Sequence, residues 1–398
     1  MKKLNLLLYL AMFATVIGVF SACSKDDDDD DNNNNNNTSG IVVTTNISQN
    51  TTWTTGNVYV LAGRITVLSG ATLNIQPGVI IKGQAGTGAN ATALLIARGG
   101  KLMAEGTADQ PIIFTSVADE IVPGQIESPN LDPDIDGLWG GLIVLGNASI
   151  SASNENGDVN EVQIEGIPTS DPNGLYGGNN DEDNSGVLKY ISIRHGGTNI
   201  GSGNEINGLT LGGVGSNTIV ENIEVVANQD DGVEWFGGTV NVKNLLVWNV
   251  NDDAIDTDQS WGGTLDNFIV VAPGGHNYEL DGPEGSFERG HTIQNGTVVC
   301  SDTEYERSSG DLINVDDNSI VALKNIYFTG IEEGQQINRV TAAGVSFEGI
   351  ELNVPAGDLA NYVNGEVPAG VTAGGSPKAN AGVFGWTWAS NAGKLAGL

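Results

Sequence analysis

The chain has 398 residues, enough for one large domain or two ordinary ones. Against 49 acidic residues stand only 16 lysines and arginines, a formal net charge of -33 that repels phosphate backbones and anionic bilayers and argues against nucleic acid as a partner. Glycine supplies 56 residues, cysteine only two, and no long window has a helical apolar period, so the composition predicts an all-β chain of short strands and tight turns.

Residues 1–22 read as an export signal: Lys2 and Lys3, an apolar run from Leu4 to Phe20, then small Ser21 and Ala22. That run is marginal for crossing a bilayer, and no later stretch approaches the roughly 20 apolar residues a membrane helix needs. Phe20-Ser21-Ala22-Cys23 resembles a bacterial lipobox, although Phe20 departs from its usual leucine or valine. The resemblance implies cleavage before Cys23 and lipid on its thiol; the alternative is an ordinary signal peptide. Six aspartates (Asp26 to Asp31) and six asparagines (Asn32 to Asn37) follow. Like charges repel and asparagine buries nothing, so residues 23–45 are expected to form a solvated tether. An acidic cluster directly behind the lipidated cysteine resembles the surface-export signal of Bacteroidota lipoproteins. That implies an outer-membrane protein facing outward, touching the membrane through its lipid only, with a periplasmic position as the alternative.

From residue 46 the chain breaks into strand phrases. Ile65-Thr-Val67, Thr72-Leu-Asn-Ile75, Val79-Ile-Ile-Lys82, Leu94-Leu-Ile96 and Pro111-Ile-Ile-Phe114 are punctuated by Gly70, Pro77-Gly78, Gly83 and Gly99-Gly100. Two acidic stretches, 119–136 and 153–186, read as surface loops projecting from the body. The second contains Asp181-Glu-Asp-Asn-Ser-Gly186, but Ser192 stands where a calcium loop of the EF-hand type needs glutamate, so that motif is not expected.

The second half repeats a phrase: Asn222-Ile-Glu-Val225, Asn244-Leu-Leu-Val247, Asn267-Phe-Ile-Val270, Asn295-Gly-Thr-Val298 and Asn325-Ile-Tyr-Phe328. Spacings of 22 to 30 residues are too short for a four-stranded propeller blade and fit one coil of a parallel β-helix. Asparagine at one corner of successive coils predicts a ladder of side-chain amides about 4.8 Å apart. Cys300 follows an apolar run and is expected to be a buried thiol without a disulfide. The period is lost after residue 330, so 331–398 read as an irregular cap, with Phe384-Gly-Trp-Thr-Trp388 covering the last coil.

Ala71-Thr-Leu-Asn-Ile-Gln-Pro-Gly-Val-Ile-Ile-Lys-Gly83, Leu95-Ile-Ala-Arg-Gly-Gly-Lys-Leu-Met-Ala-Glu-Gly-Thr107, Trp139-Gly-Gly141 and Ile193-Arg-His-Gly-Gly197 resemble coils of the pectin-lyase-like superfamily, especially those in surface lipoproteins of Bacteroidota. The resemblance covers about residues 50 to 330. It implies a right-handed, single-stranded parallel β-helix over 46–330, and one such solenoid hosts many functions.

Half a coil from the asparagines lies a second phrase: Asn207-Gly-Leu-Thr210, Asp231-Gly-Val-Glu234, Asp253-Ala-Ile-Asp256, His276-Asn-Tyr-Glu279 and Asp311-Leu-Ile-Asn314. Stacked coils would align its first positions in one column and its last in another, with Asp258 and Asp281 on the same face two residues on. Carboxylates crowded in this way suit three roles: the solvated exterior of an acidic protein, a cation site, or paired catalytic acids. Asp231, Asp253 and Asp256 are the candidate acid and base residues of a glycoside hydrolase. Polygalacturonase-type enzymes of this fold also use aspartates from neighbouring coils, but this chain lacks their Gly-His-Gly and Arg-x-Lys phrases. Glu234, Asp256, Asp258, Glu279 and Asp281 are the candidate ligands of a metal, calcium being the expected ion, and no organic cofactor is expected. Trp235 and Trp261 are candidate platforms for stacking on sugar, although Trp235, Trp248 and Trp261 recur every thirteen residues, which is not the coil period. His195 and His291 read as structural. The leading expectation is a surface protein binding a polysaccharide or other cell-surface ligand, with the hydrolase and a purely structural protein or adhesin as alternatives.

Overall fold

The computed structural model describes residues 40–198 and 206–398. The export signal, Cys23 and most of the predicted tether therefore lie outside the described residues. Ile41–Val43, placed by the sequence within the tether, instead forms a strand that pairs in parallel with Val58–Leu61 and opens the first coil.

The body is a parallel β-helix. Among the described residues its strands form a fifteen-stranded sheet and an eight-stranded sheet, and three small two-stranded ribbons decorate them. Each coil has three faces, and the larger sheet contributes two of them. In the early coils these are separate strands, such as Lys101–Glu105 and Ile112–Ser116; both then pair with one long strand, Gly186–Arg194. From there on single strands bend round the corner: Ile219–Val226, Val242–Trp248, Thr264–Val271, His291–Val299 and Ile320–Thr329.

The bend falls on the repeated asparagine. Asn222, Asn244, Asn267, Asn295 and Asn325 all have φ between 53° and 62°, the left-handed region that asparagine tolerates better than most side chains. Their amides form the expected ladder: Asn244 Nδ2 donates to Asn222 Oδ1 at 2.9 Å, Asn267 to Asn244 at 2.7 Å, and Asn325 to Asn295 at 2.7 Å. The ladder breaks once, where Asn295 donates to Asp266 Oδ1 instead.

Inside the coils, alternate residues of all three faces meet in one continuous apolar core, including Leu94, Leu142, Leu209, Val233, Ile255 and Leu280 of the smaller sheet. Cys300 is a free thiol within it, pushed up to about 12 by burial. The stacking continues beyond residue 330. Gly344–Leu352 pairs with Ile320–Thr329, and Val371–Ala373 pairs with Ile350–Leu352, so 331–373 belong to the solenoid and not to an irregular cap. Gly349, with φ 65°, takes the corner that asparagine takes elsewhere.

The tail then returns along the flank. Phe384, Trp388 and Ala389 pack on Val226, Leu246, Trp248, Ile269 and Val271, so the aromatic motif covers the outside of the middle coils and not the last one. Arg194 lies beneath Trp388, 4.9 Å from the ring centroid, and its buried partner Glu224 accepts a hydrogen bond from Ala389 N at 3.0 Å. Among the described residues, no helix is long and apolar enough to cross a membrane.

Candidate functional site

The outward face of the eight-stranded sheet carries the predicted columns in the predicted register. Thr210 pairs with Glu234, Glu234 with Asp256, Asp256 with Glu279, and Glu279 with Asn314. Phe236 and Asp258 are partners two residues on. Asp231, Asp253 and His276 are linked coil to coil as well: Asp253 N donates to Asp231 Oδ1 at 2.9 Å, and His276 N donates to Asp253 Oδ1.

This face is not the solvated exterior that one sequence reading allowed. Asp231, Glu234 and Asp256 are 7, 5 and 7% exposed and Asp253 only 2%; Asp258, Glu279 and Asp281 are half-buried. Part of the cover comes from residues 146–186. They do not project freely but fold back over the sheet, placing Ile150, Ile164, Ile167 and Tyr176 against Leu95, Ile143, Leu145 and Phe236. Tyr176 donates to Gln259 Oε1 at 2.8 Å, and Gln259 in turn donates to Glu284 at 3.1 Å. Asp181 is occupied by Arg289 at 2.6 Å and by Ser149 N.

Among the described residues three groups of donors converge; one of them, Asp230, Asp231 and Asp252, shares Asp231 with the first of the two groups that follow. In the first, one carboxylate oxygen from each of Asp231, Glu234 and Asp256 lies within 4.8 Å of the others. Asn207 donates to Glu234, whereas Asp256 Oδ1 is buried and accepts no hydrogen bond. Burial raises all three carboxyl groups well above the usual range, and neighbouring carboxylates reinforce it: Asp230 and Asp253 on Asp231, Asp256 and Asp231 on Glu234, Asp231 and Asp258 on Asp256. In the second group, Asp253, His276 and Glu279 bring two carboxylates and an imidazole within the same span. Burial and contact with Asp253 push Glu279 up to about 8. Burial also works to raise Asp253, but its contacts with His276 and Glu279 outweigh that and draw it below the ordinary value. The Asp253 carboxylate raises His276 against the opposing effect of burial. Burial, with Asp281 and Glu284 nearby, brings Asp258 to about 7, and burial together with Asp316 brings Asp281 to about 6.

The tryptophans require correction. Trp235 and Trp261 point into the solenoid, 0 and 1% exposed, and stack on each other at 4.8 Å between centroids. Trp261 Nε1 donates to Val240 O at 3.0 Å. Neither ring can reach a sugar. Trp235 faces inward because Val233 and Trp235 alternate with outward Glu234 along one strand, and Trp261, in the turn after Ile255–Asp258, packs on it. His195 and His291 are buried, His195 against Ile135 O at 2.5 Å and His291 against Trp261. The sequence reading aligned His276 with the acidic column but gave it no role. Glu165 of the covering segment, which acts electrostatically on Glu234, had no signal that would have placed it there.

Residues 45–364 match the family described as a pectate-lyase-like β-helix domain. No curated protein and no solved structure gives a match.

Proposed function

From the premise that this chain belongs to the pectate-lyase-like β-helix family, we propose that its outward acidic face binds an extracellular glycan with the help of calcium. The protein carrying that face is displayed at the outer membrane by lipid on Cys23. The reading rests on one observation above the others: three buried carboxyl groups, Asp231, Glu234 and Asp256, converge with Asp256 Oδ1 left without a hydrogen bond. A buried carboxylate costs several kcal/mol unless it is paired or coordinated, and the charges acting most strongly on these groups are other carboxylates. Calcium takes roughly six to eight hard oxygen ligands. Three carboxylates supply part of that shell, and water or sugar oxygens complete it. The half-buried Asp258, Glu279 and Asp281 along the same face offer hydroxyl groups of a glycan hydrogen-bond acceptors. A bound cation also removes the repulsion that the face alone would exert on an acidic glycan.

The test is binding of a polysaccharide panel in calcium and in chelator, with the melting temperature followed in parallel. Calcium should raise the melting temperature by mass action and support retention of a glycan, and Asp231→Asn with Asp256→Asn should remove both effects. An unchanged melting curve in millimolar calcium, together with no retention on any glycan, would leave the structural-protein alternative.

One observation favours a second reading as a glycoside hydrolase. Protonated Glu279 beside ionised Asp253 is the division of roles that glycosidic cleavage needs. Since Asp231, Asp253 and Asp256 are all buried, Glu279 would deliver the proton. New reducing ends from the same panel, lost in Glu279→Gln, would establish it.

A further inference from the structure

We infer that Asp253, His276 and Glu279 form a second ion site, chemically distinct from the all-carboxylate trio and sharing no ligand with it, that takes a divalent first-row transition ion such as zinc. The three residues sit on two adjacent coils, with one donor atom of each within 4.8 Å of the others. His276 Nδ1 lies 3.0 Å from Asp253 Oδ1 as an ion pair, without the alignment of a directed hydrogen bond. Two donors bonded to one ion at about 2.1 Å stand about 3.4 Å apart at a tetrahedral angle and about 3 Å apart at a right angle, without pointing at each other. The contact has that character. Gly275 is part of the arrangement: a methyl group added there would collide with the carboxylates of both Asp253 and Asp252.

Donor type separates the two sites. Imidazole nitrogen favours zinc and its neighbours in the first transition row, whereas calcium prefers oxygen alone. Asp253 is held in place through its bond from His276 N, while His276 and Glu279 are only half-buried. Three protein donors at a site open on one side leave a coordination position for water or a ligand.

Zinc titration of the untagged full chain by calorimetry, in saturating calcium and mildly alkaline buffer, tests this. One zinc ion per chain should bind. His276→Gln should weaken it at least about tenfold, the loss expected for removing one of three ligands, whereas Asp256→Asn should abolish the calcium response and leave zinc uptake intact. Cobalt uptake should give a visible absorption band that His276→Gln shifts or removes. Circular dichroism establishes that each variant is folded. No zinc uptake by the wild type, or equal uptake by folded His276→Gln, overturns the proposal whatever the calcium result.

Discussion

One column of outward side chains on the eight-stranded sheet runs Thr66, Leu95, Ile143, Thr210, Glu234, Asp256, Glu279 and Asn314, each in register with the next. Its first half is uncharged and sealed: Leu95 and Ile143 are 0 and 1% exposed beneath residues 146–186. Its second half is acidic and grades from buried Glu234 to half-buried Glu279. The backbone is the same in both, and so is the inward alternation of apolar residues that fills the core. The inward half of the pattern fixes coil registration, and the outward half is then free to be a packing surface in one place and a site in another.

That contrast can be broken from either side. The largest effect should come from Ile143→Glu, which puts an unpaired charge under the cover and should cost about 3–5 kcal/mol, measured by denaturant unfolding. Of similar size, Trp261→Ala should cost about 3–5 kcal/mol through the cavity it leaves in the core while glycan retention by the folded protein stays unchanged. A loss of retention at unchanged stability would restore the sugar-stacking role.

In the acidic half the sign should reverse. Asp256→Leu in chelator should stabilise the protein by about 1 kcal/mol or more, because it removes a carboxyl group whose ionisation burial and the neighbouring carboxylates oppose. The wild type without calcium should show the same physics as a pH dependence. Asp281, Asp258 and Glu279 have folded values of about 6, 7 and 8, above the roughly 4 of an unfolded carboxyl group. Their contribution is therefore fully present below about pH 4 and lost as pH rises through 6 to 8. The melting temperature in chelator should fall across that window and calcium should flatten the fall; a flat curve in chelator would contradict the raised values. An effect of the same order belongs to the neutral corner. Asn244→Ala should cost about 1–2 kcal/mol through its left-handed backbone and lost amide bond, and Asn244→Gly should cost less.

Much of this was legible in the residues. The asparagine phrase marked the corner because few side chains accept positive φ, and the polar-x-x-polar phrase marked the outward columns because strand side chains alternate. The solenoid's extent was misjudged for the same reason: Gly349 follows Asn325 by 24 residues and does the corner's work without its name. Trp235 and Trp261 are candidates for sugar stacking by residue type alone, whereas alternation along the strand puts Trp235 opposite Glu234.

The sequence by itself determined the all-β solenoid, its coil period and which acidic residues share a face, since these follow from local φ preferences and a two-residue alternation. Only the tertiary structure decided that residues 146–186 close over the sheet, that the tail runs back to Arg194 and Glu224, and that Asp231, Glu234 and Asp256 are buried together. Burial and convergence depend on contacts between segments far apart in the chain, whose partners no local pattern specifies.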